Sequence, residues 1–296
     1  MPRFAILEAP SILGLRASGV EELPGALLRA GLRDKLGASH AGRVEPPPYD
    51  PVRDPATGLL NPIGLREYSL RLAGAVGDLV RDKRFPIVLG GDCSILIGAL
   101  LGVRRLGRYG LFFLDGHADF YQPEASPTGE AADMDLALVS GRGPGVVADI
   151  DGFRPYVRDE EIVVFGYRDA AQAAEYGSQD VRATGMLALD LQQIRGRGAV
   201  AAARGALPGL LRPEVAGFWI HLDVDVLDDS IMPAVDYRMP DGLSFGELSE
   251  VLGILIASGK AAGMTIAIFN PRLDADGSIA RALVGSIVSG LGAPGA

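Results

Sequence analysis

One short motif in this sequence combines carboxylates with an imidazole directly after an apolar run. The run "GLFFL" (110–114) leads into "DGHADF", which holds Asp115, His117 and Asp119. Residues i and i+2 of an extended chain lie on one face, so these three side chains can converge on one point. Carboxylate and imidazole groups suit Mn, Fe, Co or Zn better than Ca. The motif therefore predicts a transition-metal site.

A second motif of the same kind follows another apolar run. In "FWIHLDVDVLDD" (218–229), His221, Asp223 and Asp225 alternate with apolar residues. Either motif alone is also typical of a turn or a strand end. Together they bring several carboxylates into one cleft, where the charges repel one another unless a cation lies between them. His221 itself could orient a ligand carboxylate or be a buried, hydrogen-bonded strand residue, and the sequence leaves both open.

The only cysteine in the chain, Cys93, lies in the motif "GGDCS" after the apolar run "PIVLG" (86–90). A lone cysteine is most often a small buried packing residue. A single cysteine also excludes an intrachain disulfide and fits a reducing cytoplasm. Packing is therefore the default explanation of Cys93 when it is considered in isolation.

Short apolar strands that alternate with longer helical segments must position these motifs. The segment 64–83 has apolar residues three and four apart, as in a helix packed on a sheet. Such a pattern predicts an α/β fold with a mostly parallel sheet covered on both faces, and ligands at the carboxyl ends of its strands. The Pro-rich segment 44–62 is predicted to be a surface loop, and residues 1–296 a single domain. The predicted strands are 3–8, 86–90, 110–114, 162–166, 186–190, 218–224 and 264–269.

The composition and the amino-terminal residues favour a soluble intracellular protein. The chain has 296 residues and a formal net charge of −9, which argues against nucleic acid or an anionic membrane as its main partner. Its first ten residues lack the features of a signal peptide, and the apolar stretch 251–269 is interrupted by Gly259, Lys260 and Gly263. We therefore expect a cytoplasmic protein with no membrane span.

The motifs "GGDCS", "DGHADF" and "HLDVDVLDD", in this order and spacing, resemble the signatures of the ureohydrolase superfamily of arginase and agmatinase. The segments "FGYRDA" (165–170) and "FNP" (269–271) extend the resemblance over most of the chain. It implies one three-layer α/β domain with a mainly parallel eight-stranded sheet, assembled into trimers or hexamers. It also implies a metal-dependent hydrolase that cleaves a non-peptide C–N bond in a linear amidine, guanidine or related substrate. In such enzymes a hydroxide bridging two Mn ions attacks the planar carbon of that bond.

The resemblance assigns ligand roles by position. Asp115 and Asp223 match the carboxylates that bridge the two metals, and Asp119 matches a ligand of one metal. Cys93 falls where the superfamily has a histidine ligand of that same metal. A thiolate there would favour Zn or Fe(II) over Mn, whereas a protonated thiol would leave that metal weakly held. A branch of the superfamily that acts on N-hydroxyarginine also has Cys at this position. The implied metal ligands are Cys93, Asp115, His117, Asp119, Asp223 and Asp225.

The half of the site that recognises arginine departs from the superfamily pattern. Ile268 stands where a glutamate contacts the guanidinium, and Ala132 where a histidine shuttles protons. Arginine is therefore expected to be a poor substrate. We predict that Asp119, Glu130 and Tyr121 carry the proton transfers, with Glu124 as a further candidate. The predicted substrate-binding residues are Thr128, Asp236, Tyr237 and Arg238.

Two other functions remain open. A single-zinc deacetylase would use Asp115, His117 and Asp223, but it needs a histidine pair, and only His40 and His221 remain, on separate segments. The stronger alternative is a non-catalytic homologue that binds metal and acts through assembly or a partner.

Overall fold

The structure is a computed structural model that describes residues 2–292. Its centre is one sheet of eight strands in the order β2-β1-β3-β8-β7-β4-β5-β6, and every strand pair runs parallel. The predicted α/β fold with an eight-stranded sheet is confirmed. The strands are β1 (Phe4–Ala9), β2 (Ser39–Arg43), β3 (Phe85–Gly90), β4 (Tyr109–Leu114), β5 (Ile162–Phe165), β6 (Leu187–Leu189), β7 (Gly217–Asp223) and β8 (Ala261–Ala267).

Helices cover both faces of this sheet and create two separate cores. Alternate residues of β4 divide between them: Phe112 belongs to one core, with α1, α2 and α8–α11, and Phe113 belongs to the other, with α3–α6. This arrangement is the predicted three-layer architecture. The helices are α1 (Leu23–Arg29), α2 (Leu32–Leu36), α3 (Pro62–Arg81), α4 (Ile95–Arg104), α5 (Asp135–Val139), α6 (Gly145–Ala148), α7 (Ala170–Glu175), α8 (Leu191–Arg197), α9 (Ala199–Ala206), α10 (Phe245–Ala257) and α11 (Ser278–Leu291).

One edge strand, β2, is not among the strands predicted from the sequence. Strand β2 pairs in parallel with β1, but all of its residues are exposed or half-buried and it contains no apolar run. His40 lies on this edge strand and is exposed, and its Nε2 is 2.8 Å from Glu8 Oε1. The Pro-rich segment behaves as predicted, since before α3 it forms only an isolated bridge between Arg53 and Leu60. No helix among residues 2–292 is both long and apolar enough to cross a bilayer.

Candidate metal centre

The four central strands of the sheet, in the order β3-β8-β7-β4, end at the same edge, and the predicted site residues follow them. Cys93 comes after β3, Asp223 ends β7, and Asp115 follows β4. Because parallel strands direct their carboxyl ends to one edge, residues distant in sequence meet there. The residues Asp115, His117, Asp119, Asp223 and Asp225 are called the acidic cluster below.

Among the predicted ligands, two groups of donor atoms lie close enough to share a cation. The ligand atoms of Cys93, Asp115 and Asp223 all lie within 4.8 Å of one another, and so do those of Asp115, His117 and Asp119. Cys93 Sγ is 2.8 Å from Asp223 Oδ2. The structure thus brings all six sequence-predicted ligands to one end of the sheet.

Backbone amide groups hold the carboxylates in place. The amides of His117 and Asp225 donate to Asp115 Oδ1 at 2.6 Å and Asp223 Oδ1 at 2.8 Å, which closes a tight turn in each motif. The amide of Gly116 donates to Asp225 Oδ1 at 2.9 Å and joins the two motifs. The second oxygens differ: Asp223 Oδ2 accepts from Cys93 Sγ and Asp225 Oδ2 lies 2.8 Å from His117 Nδ1. Asp115 Oδ2 has no such partner within the described part of the chain.

The carboxylates of the acidic cluster are costly to ionise without a positive partner. Burial, together with the neighbouring carboxylates, raises the pKa of Asp115, Asp119 and Asp223. Burial acts the same way on Asp225, but several weaker effects together outweigh it and hold the pKa of Asp225 below its ordinary value: the charge and hydrogen bond of His117, whose Nδ1 is 2.8 Å away, the charge of Arg168 and the amide of Gly116. Asp115 Oδ2 is buried and has no hydrogen-bond partner among residues 2–292. A buried carboxylate oxygen in this state is suited to a cation.

Cys93 is fully enclosed beside this cluster. Burial, followed by the charge of Asp223, raises the pKa of the Cys93 thiol, so without a cation the thiol donates to that carboxylate. A bound metal has the opposite effect and lowers the pKa of the thiol, because it is the thiolate that coordinates a metal. The donor types present, carboxylate, imidazole and sulfur, fit a divalent transition metal.

A cleft of about 150 Å³ opens above the acidic cluster. Six of the other residues that the sequence analysis singled out line it: Tyr121, Thr128, Glu130, Ala132, Tyr237 and Ile268.

Glu130 closes one side of this cleft. Its Oε1 accepts a hydrogen bond from the amide of Arg16 at 2.8 Å, and its Oε2 accepts one from the Tyr237 hydroxyl at 2.7 Å. Tyr237 is 49% exposed, so the pair lies at the boundary between the cleft and solvent. Two hydrogen bonds therefore hold the Glu130 side chain at this boundary.

Ile268 has a backbone conformation that is rare for its side chain. Its φ is +72°, in the left-handed region that disfavours β-branched residues, at a cost of about 1–2 kcal/mol. Its amide donates to the Gly91 carbonyl at 2.8 Å, which ties the end of β8 to the loop that carries Cys93. Strain of this kind concentrates at functional sites.

Some predicted residues lie away from the cleft. Asp236 accepts a hydrogen bond from Asn270 Nδ2 at 2.8 Å, and Arg238 forms a two-pronged pair with Asp229 at 2.5 and 2.9 Å. Glu124 is exposed on the loop that follows β4. In the described structure these three side chains do not line the cleft.

Sequence reasoning missed Asp135, which begins α5 and is completely buried next to Cys93 and His221. The signal was an acidic residue at the start of the apolar segment "DLALV". His221 is a buried strand residue whose Nδ1 lies 2.8 Å from Thr265 Oγ1, and burial lowers its pKa to about 3. The further cleft residues that were missed are Leu15, Pro127, Asp133, Gln172 and Tyr176.

The chain is similar to known arginases both in sequence and in structure. The sequence model of the Arginase family matches residues 3–291. An arginase from Bacillus caldovelox is 28% identical over 297 residues, which is 97% of this chain and 98% of that protein. The crystal structure of arginase from Bacillus cereus superimposes with a TM-score of 0.86 at 26% identity and covers 99% of this chain and 100% of that one.

A more distant structure shares the fold alone. Formimidoylglutamase from Bacillus subtilis matches with a TM-score of 0.73 at 18% identity over 98% of this chain and 86% of that one.

Proposed function

Because this chain belongs to the arginase family, within the ureohydrolase superfamily, we propose that it is a metal-dependent hydrolase of a non-peptide C–N bond in a linear amidine, guanidine or related small molecule. The observation that carries the proposal is the buried acidic cluster, with Cys93 beside it, at the floor of a small cleft. Buried carboxylates at this density are costly without cations, and a hydrolase has a use for them.

The six residues proposed as metal ligands would hold two divalent cations per chain. Asp115 and Asp223 would lie between the two cations. His117 and Asp225 would complete one side of the site, and Asp119 and Cys93 the other. When bound, such cations lower the pKa of water toward neutrality and polarise the group under attack. The sulfur ligand favours Zn or Fe(II) at the Cys93 position, whereas Mn is the choice that the family resemblance implies.

The chain's own residues would move the protons. Asp119 lines the cleft as part of the acidic cluster, so its carboxylate can accept a proton from the attacking water and return it to the leaving nitrogen. Tyr121 and Glu130 also line the cleft, and either can relay a proton in place of the histidine that Ala132 replaces. Thr128 and Tyr237 would contact the substrate from the same wall.

The apolar wall at Ile268 restricts the substrate. A guanidinium buried against it lacks a counter-charge, which costs roughly 3–5 kcal/mol. A less basic group, such as an N-hydroxyguanidine, a formimino group or an amide, does not carry this cost. We therefore propose that L-arginine is turned over roughly 10²-fold or more slowly than by a dedicated arginase.

A non-catalytic metal-binding homologue is the second candidate. Ile268 and Ala132 favour it, because each replaces a polar residue of the superfamily pattern with an apolar one. For either function we propose a cytoplasmic homo-oligomer, a trimer or hexamer, since the family resemblance implies assembly and the single cysteine fits a reducing compartment.

A substrate panel tests the proposal. The purified chain is assayed with Mn, Zn and Fe(II) against arginine, agmatine, guanidinobutyrate, N-hydroxyarginine and formiminoglutamate, with Asp119→Asn as the matched inactive control. We expect turnover of a less basic member that is lost in the control. Metal binding without turnover of any member would support the non-catalytic homologue. Fast turnover of arginine would contradict the role given to Ile268.

A further inference from the structure

Asp135 is a carboxylate in an unusual position. It begins α5, is completely buried, and neither of its carboxylate oxygens has a hydrogen-bond partner among the described residues. Buried carboxylates are normally paired, hydrogen-bonded or bound to a metal. The surroundings of Asp135 therefore need a group that can interact with both oxygens.

His221 faces Asp135 from β7. Its ring stacks on Phe113 with a centroid separation of 4.9 Å, and its Nδ1 lies 2.8 Å from Thr265 Oγ1. Its Nε2 is buried, has no hydrogen-bond partner in the described part of the chain, and lies 3.8 Å from Asp135 Oδ2. Metal-bound histidines characteristically have one nitrogen fixed by a hydrogen bond and the other on the metal. Phe113 and Thr265 fix the ring of His221 in this manner.

Cys93 completes the group. The ligand atoms of Cys93, Asp135 and His221 all lie within 4.8 Å of one another. Ligands of a tetrahedral metal with bonds of about 2.0–2.3 Å lie roughly 3.4–3.8 Å apart. Small inward movements of the three side chains would therefore bring them to a common cation.

We propose that Cys93, Asp135 and His221 bind a zinc-class cation deeper in the sheet than the acidic cluster. His221 and Asp223 are two residues apart on β7 and share a face, so this site lies directly beneath Asp223. In the superfamily pattern a histidine stands at the position of Cys93. Here the imidazole of His221 supplies the nitrogen ligand instead. In this site Cys93 binds the deeper cation in place of the role beside Asp119 given to it above. The site deepens the proposed function and rests on the metal binding proposed there.

The donor set determines which cation is favoured. One thiolate, one imidazole and one carboxylate form a mixed sulfur, nitrogen and oxygen site that Zn, Co(II) or Fe(II) fills better than Mn. A purely structural group would consist of a neutral histidine and a protonated acid in contact. Here the separation of 3.8 Å between Nε2 and Oδ2 is too long for a hydrogen bond between them.

X-ray absorption on the unmodified chain tests the site directly. The full-length protein is stripped with a chelator and given one equivalent of Zn. We expect a shell with one sulfur at about 2.3 Å together with the scattering pattern of imidazole. Sulfur with oxygen ligands alone would mean that Cys93 acts with Asp115 and Asp223, and a shell without sulfur would mean that Cys93 only packs. Either result overturns the proposal.

Two near-isosteric variants identify the imidazole and the carboxylate. His221→Gln and Asp135→Asn should each weaken Zn binding at least about 10-fold and reduce the near-ultraviolet Co(II)–thiolate band. His40→Gln, on the edge strand, is the control that should change neither. If sulfur and imidazole scattering both persist in His221→Gln, the imidazole comes from His117 and the proposal fails. If a variant does not fold, the absorption spectrum of the unmodified chain decides.

The outcomes also separate this site from the proposed function. A chain that binds no metal contradicts both. A chain that binds metal with unchanged affinity in His221→Gln and Asp135→Asn keeps the proposed hydrolase and loses only this site.

Discussion

Cys93 Sγ lies 2.8 Å from Asp223 Oδ2, although the two residues are 130 positions apart and their strands are separated in the sheet by β8. The contact makes the cysteine a neighbour of the carboxylate on which both proposed cations depend. Replacement of Cys93 by His should therefore raise Mn affinity relative to Zn affinity, because imidazole is a harder ligand than thiolate. Competition titrations measure the ratio. If Cys93→Ala leaves metal content and selectivity as in the unmodified chain, Cys93 is only a packing residue.

Removal of the charge on Asp223 should affect both cations together. We expect Asp223→Asn to lose nearly all of the Mn bound at the acidic cluster, since this carboxylate lies between the two proposed positions. Elemental analysis after reconstitution with Mn gives the metal content per chain. Asp78→Asn, on the exposed face of α3, is the control and should retain it. Thermal stabilisation by added Mn that persists in Asp223→Asn would argue against a bridging role.

The side chain at position 268 should control substrate preference. We expect Ile268→Glu to raise kcat/KM for arginine or agmatine relative to the best less basic substrate by at least about 10-fold, because it supplies an anion worth more than 1.4 kcal/mol to a buried cation. Ile268→Gln has almost the same shape without the charge and should leave the ratio unchanged. Equal effects of the two variants would show that size and not charge determines the preference.

Gly91 permits a close backbone approach that positions the cysteine loop. A Cβ on Gly91 would lie 1.8 Å from the Ser11 carbonyl oxygen, so the two loops would have to move apart. Gly91→Ala should lower the free energy of unfolding by about 1–3 kcal/mol and weaken metal retention. Gly205→Ala in α9, where a Cβ meets nothing within 4 Å, should slightly stabilise the protein. Chemical denaturation with and without metal compares them.

We expect the ionised Glu247 side chain, which lies away from the metal site, to stabilise the fold in a way that is lost in acid. Burial opposes its ionisation, but hydrogen bonds from Ser244 and Arg195 hold the pKa of Glu247 below its ordinary value. A carboxyl group with a lowered pKa stabilises the fold above its ordinary pKa of about 4.3 and loses this contribution as the pH falls. Glu247→Gln should therefore be less stable than the unmodified chain near pH 7, and the difference should shrink in acid.

Sequence patterns predicted the central part of the molecule well for a physical reason. The strands that carry the site are continuous apolar runs, because helices cover both of their faces, and such runs stand out from their surroundings. Strand β2 lacks this signal because it lies at the edge. Asp135 and His221 could not be paired from sequence, since only the fold shows that α5 covers that part of β7.

The contacts of residues on the loop after β7 also could not be predicted from the sequence. Asp236 and Arg238 lie next to Tyr237 in sequence, yet only Tyr237 reaches the cleft. The partners Asn270 and Asp229 hold the other two elsewhere, and such pairings depend on tertiary geometry.

The strand order has a consequence for how the chain folds. The four central strands begin at positions 85, 109, 217 and 261, so the site can assemble only after segments from most of the chain have met. Parallel pairing between such distant segments is slow, because the entropy of closing long loops is lost before contacts form. The metal ligands therefore come together late in folding, and metal uptake reports on completion of the central sheet. By the same reasoning, a destabilised variant or a nascent chain lacking β8 keeps its carboxylates solvated and does not retain metal tightly.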